Sequence, residues 1–497
     1  MTSPLPEPEP VSQQAQDRLA AGLRAVLSRG GLLESEEERR PYECDGLSAY
    51  RQLPLLVAMP QTEQQVVDVL KVCNAHGIPV VARGAGTSLS GGALPLANGV
   101  LLSLAKLNKI ISIDPKNRVA HVQPGVRNLA ISEATAQYGL YYAPDPSSQI
   151  ACSIGGNVAE NAGGVHCLKY GLTVHNVLGI RFVTIDGQTI EIGGEGLDGP
   201  GYDLLALLTG SEGMLAVVVE ITVKLLAQPE HAQVVLAAFA TAVQASEAVT
   251  AIIASGFIPA GLEMMDQMST RATEAYAHAG YPTDAGAVLL CELDGTHEEV
   301  EYGIERVCQI MQKQGAIQLR VSTNEIERHK LWAGRKAAFP AIGRLAPDYY
   351  CMDGTIPRKH LAKVLAEINR LSAEYDLPVA NVFHAGDGNL HPLILYDAAK
   401  PGHLERTEEL GAAILKLCID VGGTITGEHG VGVEKIDQMC VQFTSGELAQ
   451  FHAVKAAFDP HALLNPGKAV PTLARCAEFG RMHVHGGKGK FPELERF

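Results

Sequence analysis

Closely spaced cysteines are absent from this 497-residue sequence. Its ten cysteines are scattered, and no two of them have C-x-x-C spacing. This absence argues against a cysteine-held zinc site or an iron–sulfur cluster on this chain, because both need thiolate ligands close together. The sequence also lacks the cysteine framework of a disulfide-stapled secreted domain, so we expect reduced, mostly buried thiols in a cytoplasmic protein.

Long apolar runs and positive charge are also scarce. No apolar run approaches the length that spans a bilayer, and the proline-rich, acidic N-terminus lacks the order of a secretory signal. We therefore expect no direct membrane span, with any membrane association arising through partner subunits. Forty Lys and Arg against 55 Asp and Glu leave a formal charge of -15, which disfavours nucleic-acid binding.

Length and composition predict two main domains, since 497 residues with 46% hydrophobic content exceed what one core usually serves. Around Pro229 glycine becomes rarer, and predicted strands and helices alternate as in an α+β domain of ferredoxin-like type. We predict a tail with short helices at residues 1–53, a first domain at 54–228, a second domain at 229–440, a C-terminal helical segment at 441–470 and a C-terminal tail at 471–497.

Three glycine-rich loops mark the first domain. Residues 83–92 follow a predicted strand, and their glycines let backbone N–H groups approach a pyrophosphate closely, while Arg83 adds charge. Leu89 occupies the third glycine position of G-x-G-x-x-G, and a P-loop is missing, so this loop alone is equally consistent with a surface turn. Residues 144–164 and 210–213 add further glycines and polar groups, which together favour a dinucleotide.

A histidine hairpin marks the second domain. Two apolar runs are joined by Asp387-Gly388, the residues that a two-residue type I′ turn prefers. A two-residue loop would place His384 directly opposite His391, so that both imidazoles could bind one metal ion. Glu428 offers a third ligand, and the glycines around it let Glu428 and the adjacent His429 face one cavity.

Taken together, these motifs resemble the FAD-linked oxidase family of the vanillyl-alcohol-oxidase type, and within it the glycolate oxidases and D-lactate dehydrogenases. The resemblance runs from about residue 50 to the end. It implies an α+β fold with a two-subdomain FAD-binding domain (the PCMH type), a ferredoxin-like substrate or cap domain, and a C-terminal segment that returns to the FAD domain. The residues that it places at the FAD are Arg83, Gly84, Ala85, Gly86, Thr87, Ser88, Leu89, Ser90, Pro144, Ser153, Gly155, Gly156, Asn157, Asn161, Gly210, Glu212, Gly213 and Asn465.

The resemblance also assigns the chemistry. Some relatives carry a histidine in the first loop that bonds to the flavin; this chain has none there, so the FAD should be non-covalent. His384, His391 and Glu428 would bind a divalent metal, with Zn, Mn and Fe left open. His429 would contact the substrate and serve as the catalytic base, and Arg335 would bind the substrate carboxylate. The implied reaction is oxidation of a small D-2-hydroxy acid, glycolate or D-lactate.

Partners and alternatives follow from the same sequence. A second redox motif is lacking, so electrons must leave to an external acceptor, and the resemblance implies iron–sulfur and second flavin-type partner subunits of a glycolate oxidase complex. Relatives that oxidise larger diacids carry a lysine about fifteen residues beyond the arginine; the stretch around Tyr350 has none, which speaks against a D-2-hydroxyglutarate dehydrogenase. A metal-dependent hydrolase and an inactive flavin-binding assembly subunit remain the rivals from other classes.

Overall fold

A computed structural model describes residues 11–196, 199–472 and 476. Its α-helices are α1 (Gln13–Val26), α2 (Glu36–Arg39), α3 (Glu63–His76), α4 (Asn128–Thr135), α5 (Ile154–Glu160), α6 (Cys167–Tyr170), α7 (Leu204–Leu208), α8 (Ala242–Ala254), α9 (Gln267–Ala277), α10 (His297–Lys313), α11 (Glu325–Lys336), α12 (Ala338–Ile342), α13 (Leu361–Tyr375), α14 (His403–Asp420), α15 (Ile436–Gln442) and α16 (Ser445–Phe458). Short 3-10 helices are Arg40–Tyr42, Ala136–Tyr138, Thr173–His175 and Arg358–His360.

The strands are β1 (Leu32–Leu33), β2 (Leu56–Ala58), β3 (Val80–Arg83), β4 (Val100–Ser103), β5 (Ile110–Asp114), β6 (Val119–Val122), β7 (Leu140–Tyr141), β8 (Val177–Val183), β9 (Thr189–Gly193), β10 (Val217–Lys224), β11 (Leu226–Ala227), β12 (His231–Phe239), β13 (Gly261–Asp266), β14 (Ala287–Gly295), β15 (Ala316–Val321), β16 (Asp348–Cys351), β17 (Val379–His384) and β18 (Asn389–Tyr396). They form sheets of four, five, two and seven strands.

The first domain contains a four-stranded sheet in the order β1-β2-β4-β3. Strands β2, β4 and β3 run parallel, and α3 provides the crossover from β2 to β3, with β4 lying between those two strands in the sheet. Thr62 caps α3 by accepting a hydrogen bond from the Gln65 N–H, and Gly77 ends the helix in the left-handed conformation. Because β3 ends at Arg83, the first glycine loop begins at the edge of this sheet.

A five-stranded antiparallel sheet, β5-β6-β10-β8-β9, forms the second subdomain of the first domain. Backbone contacts place the second and third glycine loops side by side beside it. The N–H groups of Gly210 and Glu212 donate to the carbonyls of Val158 and Ala159, each at 2.8 Å. The two sheets give the two-subdomain arrangement that the sequence predicts.

The second domain is a seven-stranded antiparallel sheet in the order β15-β12-β14-β13-β17-β18-β16. Helices α8, α10, α13 and α14 cover one face and bury a large apolar core against it, while α9, α11 and α12 cover the other. The buried strands β17 and β18 form a hairpin within this sheet, so His384 and His391 are held on a rigid element. The predicted α+β fold class is confirmed.

The C-terminal segment returns to the first domain, as the resemblance implies. The Val80 N–H donates to the Leu463 carbonyl at 2.7 Å, and the Asn465 N–H donates to the Val80 carbonyl at 2.8 Å. The backbone of residues 463–465 therefore pairs with β3 at the edge of the four-stranded sheet. The C-terminal tail beyond residue 472, apart from Cys476, and residues 1–10 lie outside the described residues.

The expectation about the cysteines is wrong. Cys440 and Cys476, separated by 36 positions, form a disulfide, whereas the scattered spacing predicts only reduced thiols. The chain brings the two Cα atoms to 5.2 Å by folding back after α16, and linear spacing carries no signal of such a return. The other eight cysteines are free. Within the described residues, no helix has the length and apolar character needed to cross a membrane.

Candidate active site

A cavity of about 370 Å³ opens where the three glycine loops of the first domain face the second domain. One wall is mostly backbone and small side chains, and the other carries His391, Glu428 and His429 together with residues of α11 and α12. The predicted flavin residues on the wall are Arg83, Gly84, Ala85, Gly86, Thr87, Ser88, Leu89, Ser153, Gly155, Gly156, Asn157, Glu212 and Gly213. The structure therefore brings most of the predicted residues to a single cavity.

The remaining predicted flavin residues lie behind this wall and support it. Asn161 ends α5 in the left-handed conformation and accepts a hydrogen bond from the Val174 N–H. Asn465 donates to the carbonyls of Gly92 and Glu212 at 2.9 and 2.7 Å. Three more of the predicted residues, Ser90, Pro144 and Gly210, also lie outside the lining. Their predicted role at the flavin stays a prediction.

Tight backbone packing explains why the wall needs glycine. A methyl group added at Gly84 would collide with the Ser153 hydroxyl, and one at Gly155 would lie 2.5 Å from Pro124 Cβ and 2.9 Å from the Pro124 carbonyl oxygen. Gly86 has a φ of 71°, which favours glycine. The loops are therefore close enough together to present backbone groups to a nucleotide, which fits the family's FAD.

The histidine hairpin differs from the predicted register. His384 pairs with Asn389, not with His391, because the loop has four residues, 385–388, instead of two. The Gly388 N–H donates to the His384 carbonyl at 3.1 Å. This bond spans four positions, so the loop is longer by two residues than the loop of a type I′ turn. The shift is two positions, so His391 still lies on the same face of the sheet as His384. Their ring centroids are 5.0 Å apart.

The three predicted metal ligands converge. His384 Nε2 and His391 Nε2 lie 3.3 and 3.2 Å from Glu428 Oε1. The ligand atoms of all three residues lie within 4.8 Å of one another. Both ring nitrogens of His391 are buried without a hydrogen-bond partner in the described part of the chain. A bound divalent cation would satisfy one of them, so this donor set fits a metal.

Glu263 supports the cluster from behind. Its Oε1 lies 2.8 Å from His384 Nδ1, and its Oε2 lies 2.6 Å from Arg335 Nη2. A carboxylate on the far nitrogen of a ligating imidazole fixes the ring's orientation and tautomer. Arg335 is only 1% exposed and is not among the residues that line the cavity, although its Nε lacks a hydrogen-bond partner within the described residues.

Asp353, immediately after β16, holds the loop that carries Glu428 and His429. Its carboxylate accepts hydrogen bonds from the N–H groups of Gly427, Glu428 and His429, at 2.9 to 3.3 Å. The buried Lys435 Nζ donates to the same carboxylate at 3.1 Å. Although burial opposes ionisation, the Lys435 charge and the nearby histidines hold the pKa of Asp353 well below its usual range. This loop is therefore fixed by an ionised, fully buried carboxylate.

His429 has the electrostatic character of a neutral base. Burial lowers the pKa of His429 below its usual range, and the Lys435 charge acts in the same direction against the attraction of Asp353. Its Nδ1 is buried without a hydrogen-bond partner in the part of the chain that the structure describes. An uncharged imidazole on the cavity wall can accept a proton at neutral pH.

Several lining residues were missed by sequence reasoning. Lys336 follows Arg335 on α11, and Phe339 and Pro340 follow on α12; all three line the cavity. The Phe339 ring centroid is 6.1 Å from that of His391. The available signal for Lys336 was that it is a second cationic residue directly after the predicted Arg335. Ser147, Ser148 and Glu160 in the second glycine loop also line the cavity.

Comparison with known families agrees with this architecture. Residues 54–193 match the family described as FAD binding domain, and residues 228–469 match that described as FAD linked oxidases, C-terminal domain. The chain belongs to the FAD-linked oxidase family.

Among individual relatives, the chain is similar to glycolate oxidase subunit GlcD of Escherichia coli K12, with 64% identity covering 94% of this chain and 93% of the relative. It is 40% identical to the Bacillus subtilis subunit of the same name, covering 89% and 94%. It is 32% identical to D-lactate dehydrogenase of Archaeoglobus fulgidus, covering 84% and 92%. The structure of p-cresol methylhydroxylase with substrate bound has a TM-score of 0.79 at 18% identity, covering 94% and 99%, which shows a shared fold.

Proposed function

We propose that this protein is an FAD-dependent dehydrogenase that oxidises a small D-2-hydroxy acid, glycolate or D-lactate, to the 2-oxo acid. One observation carries the proposal: the three glycine loops and the His391–Glu428–His429 cluster line the same cavity. The relatives named for glycolate oxidase and D-lactate dehydrogenase support the same substrate class. Bound FAD supplies the hydride acceptor.

His429 is the proposed base. Oxidation of a 2-hydroxy acid requires the hydroxyl proton to be removed as hydride leaves the α-carbon. His429 lies on the cavity wall, is neutral near pH 7 because burial lowers the pKa of its imidazole, and is held by Asp353 through its backbone N–H. It therefore takes the proton at an imidazole nitrogen while the loop keeps its position.

His384, His391 and Glu428 are the proposed ligands of a divalent metal. Two imidazoles and one carboxylate leave coordination positions open for a substrate, and such an ion would lower the pKa of a bound hydroxyl. Zn, Mn and Fe all accept this donor set. Glu263 supports the proposal because it orients His384 from outside the cluster.

Two cations are available for the substrate carboxylate. Arg335 is the residue that the sequence predicts, but it is paired with Glu263 behind the wall. Lys336 lines the cavity itself, with its Nζ 3.5 Å from Asp145 Oδ2. Phe339 and Pro340 add apolar surface beside it, which suits a short monocarboxylate better than a diacid such as 2-hydroxyglutarate.

Electrons must pass to an external acceptor. The relatives with the highest identity above are named as subunits, which supports assembly with other chains. We propose iron–sulfur and second flavin-type subunits as these partners, with membrane association arising through them and the protein itself in the cytoplasm.

Anaerobic reduction of the bound flavin tests the function. The purified protein is mixed with glycolate, D-lactate, L-lactate and D-2-hydroxyglutarate in turn, and flavin absorbance is followed. Bleaching by glycolate or D-lactate, with slower bleaching by the L-isomer and the diacid, is the expected result. A protein without flavin would favour the metal-dependent hydrolase, and a flavin that no hydroxy acid reduces would favour the inactive assembly subunit.

A further inference from the structure

Glu212 ties the loop of Glu428 and His429 to the first domain. Its Oε1 and Oε2 each accept a hydrogen bond of 2.7 Å, from the N–H groups of Val431 and Gly432. Its backbone φ is 50°, a value that non-glycine residues rarely adopt, so the surrounding contacts impose this conformation. Both carboxylate oxygens are thus used as acceptors, the arrangement that stabilises an ionised carboxylate.

Glu160, the last residue of α5, brings a second carboxyl group to the same place. A methyl group at Gly92 would lie 2.8 Å from Glu160 Oε1 and 3.5 Å from Glu212 Oε2. A methyl group at Gly430 would collide with Glu160 Oε2 and lie 3.0 Å from Glu212 Oε1. The two carboxyl groups therefore crowd the same pair of glycines.

The two glutamates differ in their hydrogen-bond partners. Glu160 lines the cavity, but its Oε2 is buried against Gly430 without a hydrogen-bond partner in the described part of the chain, so Oε1 is the oxygen that can face the cavity. Adjacent buried carboxylates do not both ionise readily, because each charge disfavours the other. Glu212 has two backbone donors to stabilise its charge, so the proton belongs on Glu160. Burial first, and the Glu212 charge second, raise the pKa of Glu160 well above its usual range.

Other charged groups around the pair leave this assignment unchanged. Burial raises the pKa of Glu212 above its usual range, and the Val431 and Gly432 N–H groups and the charges of Lys435 and Lys468 oppose that rise. Asp45 adds a negative charge that further raises the pKa of Glu160, against the weaker influence of Lys435. The charge is therefore better stabilised on Glu212 than on Glu160, and the proton stays on Glu160.

We propose that Glu160 is a neutral carboxylic acid whose hydroxyl donates a hydrogen bond into the cavity, to an acceptor atom of the bound flavin. The inference rests on the FAD site of the proposed function, and it assigns Glu160 a role that its position in a glycine loop does not suggest. A donor at this position fixes the cofactor beside the loop of His429 and stabilises the more electron-rich reduced flavin.

Reductive titration of the FAD-loaded protein tests the proposal with variants E160Q and E160M and the exposed control E301Q. Dithionite with a reference dye gives the flavin midpoint potential, and equilibrium dialysis gives FAD affinity. Because a glutamine amide is neutral and donates, E160Q should retain the wild-type potential and affinity. E160M should lower the potential and weaken FAD binding about tenfold, the size of one hydrogen bond. E301Q should match the wild type.

Other outcomes overturn the proposal. A potential that rises in E160Q would mean that Glu160 is ionised, and an E160M protein with wild-type potential and affinity would mean that it does not contact the flavin. If E160M does not fold, infrared difference spectra of oxidised and reduced wild-type protein decide the matter. A carboxylic-acid carbonyl band that shifts on reduction and is missing in E160Q is expected; its absence from the wild type is contrary. Dithionite replaces the hydroxy acid, so failure of the substrate proposal leaves this test intact.

Discussion

The two walls of the cavity are lined by different kinds of residue. The first domain contributes mostly glycines and small residues, whose tight packing leaves no room for larger side chains, with Arg83, Glu160 and Glu212 among them. The second domain contributes imidazoles, carboxylates and a lysine, so its function depends on groups that are present. We therefore expect the first wall to fail when a methyl group is added and the second to fail when a functional group is removed.

The largest expected effect is removal of the base. His429→Ala should lower the rate of flavin reduction by substrate about a thousandfold, since general base catalysis contributes on that order. FAD content should stay at the wild-type level, because the first domain binds the cofactor. Stopped-flow absorbance measures the rate, and His329→Ala, on the exposed face of α11, is the control. A normal rate in His429→Ala would remove the base assignment.

Loss of a metal ligand should have the next largest effect. His384→Ala leaves two of the three ligands and should weaken metal affinity by more than about a hundredfold, beyond the loss that follows from changing an outer partner. Metal content by mass spectrometry should fall while FAD content is retained, and the exposed His461→Ala should keep both. Full metal content in His384→Ala would show that the cluster is not the metal site.

Adding one methyl group should damage the opposite wall. Gly155→Ala would bring Cβ to 2.5 Å from Pro124 Cβ, so the second glycine loop must shift. We expect FAD affinity to fall about 10- to 100-fold, in line with the cost of overpacking, with metal content unchanged. Gly194→Ala, which meets no atom within 4 Å, is the matched control. Metal loss without FAD loss would contradict the division between the walls.

Lys336 sharpens the comparison within the second wall. If it binds the substrate carboxylate, Lys336→Met should raise KM about tenfold with little change in kcat, because that contact is made equally in the ground state and the transition state. Steady-state kinetics with glycolate and an artificial acceptor measures both constants. Lys363→Met, on an exposed position of α13, is the control. An unchanged KM would mean that Lys336 does not bind the substrate carboxylate, which would leave Arg335 as the candidate.

The sequence predicts which glycine loops line the cavity and that His384, His391 and Glu428 converge, because both depend on local patterns. A glycine loop after a strand is visible in the sequence, and His384 and His391 stay on one face even with the register shifted by two positions. Asp353 could not be found in this way, because it reaches its loop from a strand more than seventy positions earlier. The Cys440–Cys476 disulfide was missed for the same reason, since only the folded chain brings the two residues together.

The smallest effect concerns one of the contacts between the two domains. His166 Nδ1 lies 2.9 Å from Asp145 Oδ2 in the first domain, and its Nε2 lies 3.1 Å from Glu292 Oε1 on β14. Burial opposes its charge, but Asp145 and Glu292 outweigh burial and raise the pKa of His166 to about 10. A raised pKa in the folded state contributes stability that is fully present below the unfolded pKa of 6.5 and is lost as pH rises to about 10.

The melting temperature of the wild type should therefore fall between pH 6.5 and pH 10 by on the order of a few degrees more than that of His166→Gln, which has no imidazolium to lose. Asp145 acts at the other end of the range: burial raises its pKa, but His166 and Lys336 lower it to about 2, so its contribution is lost only as pH falls below 3.8. Scanning fluorimetry from below pH 3.8 to pH 10, with the exposed His329→Gln as the control, separates the acidic contribution of Asp145 from the alkaline contribution of His166. Parallel curves for wild type and His166→Gln would mean that the imidazolium does not contribute to the contact between the walls.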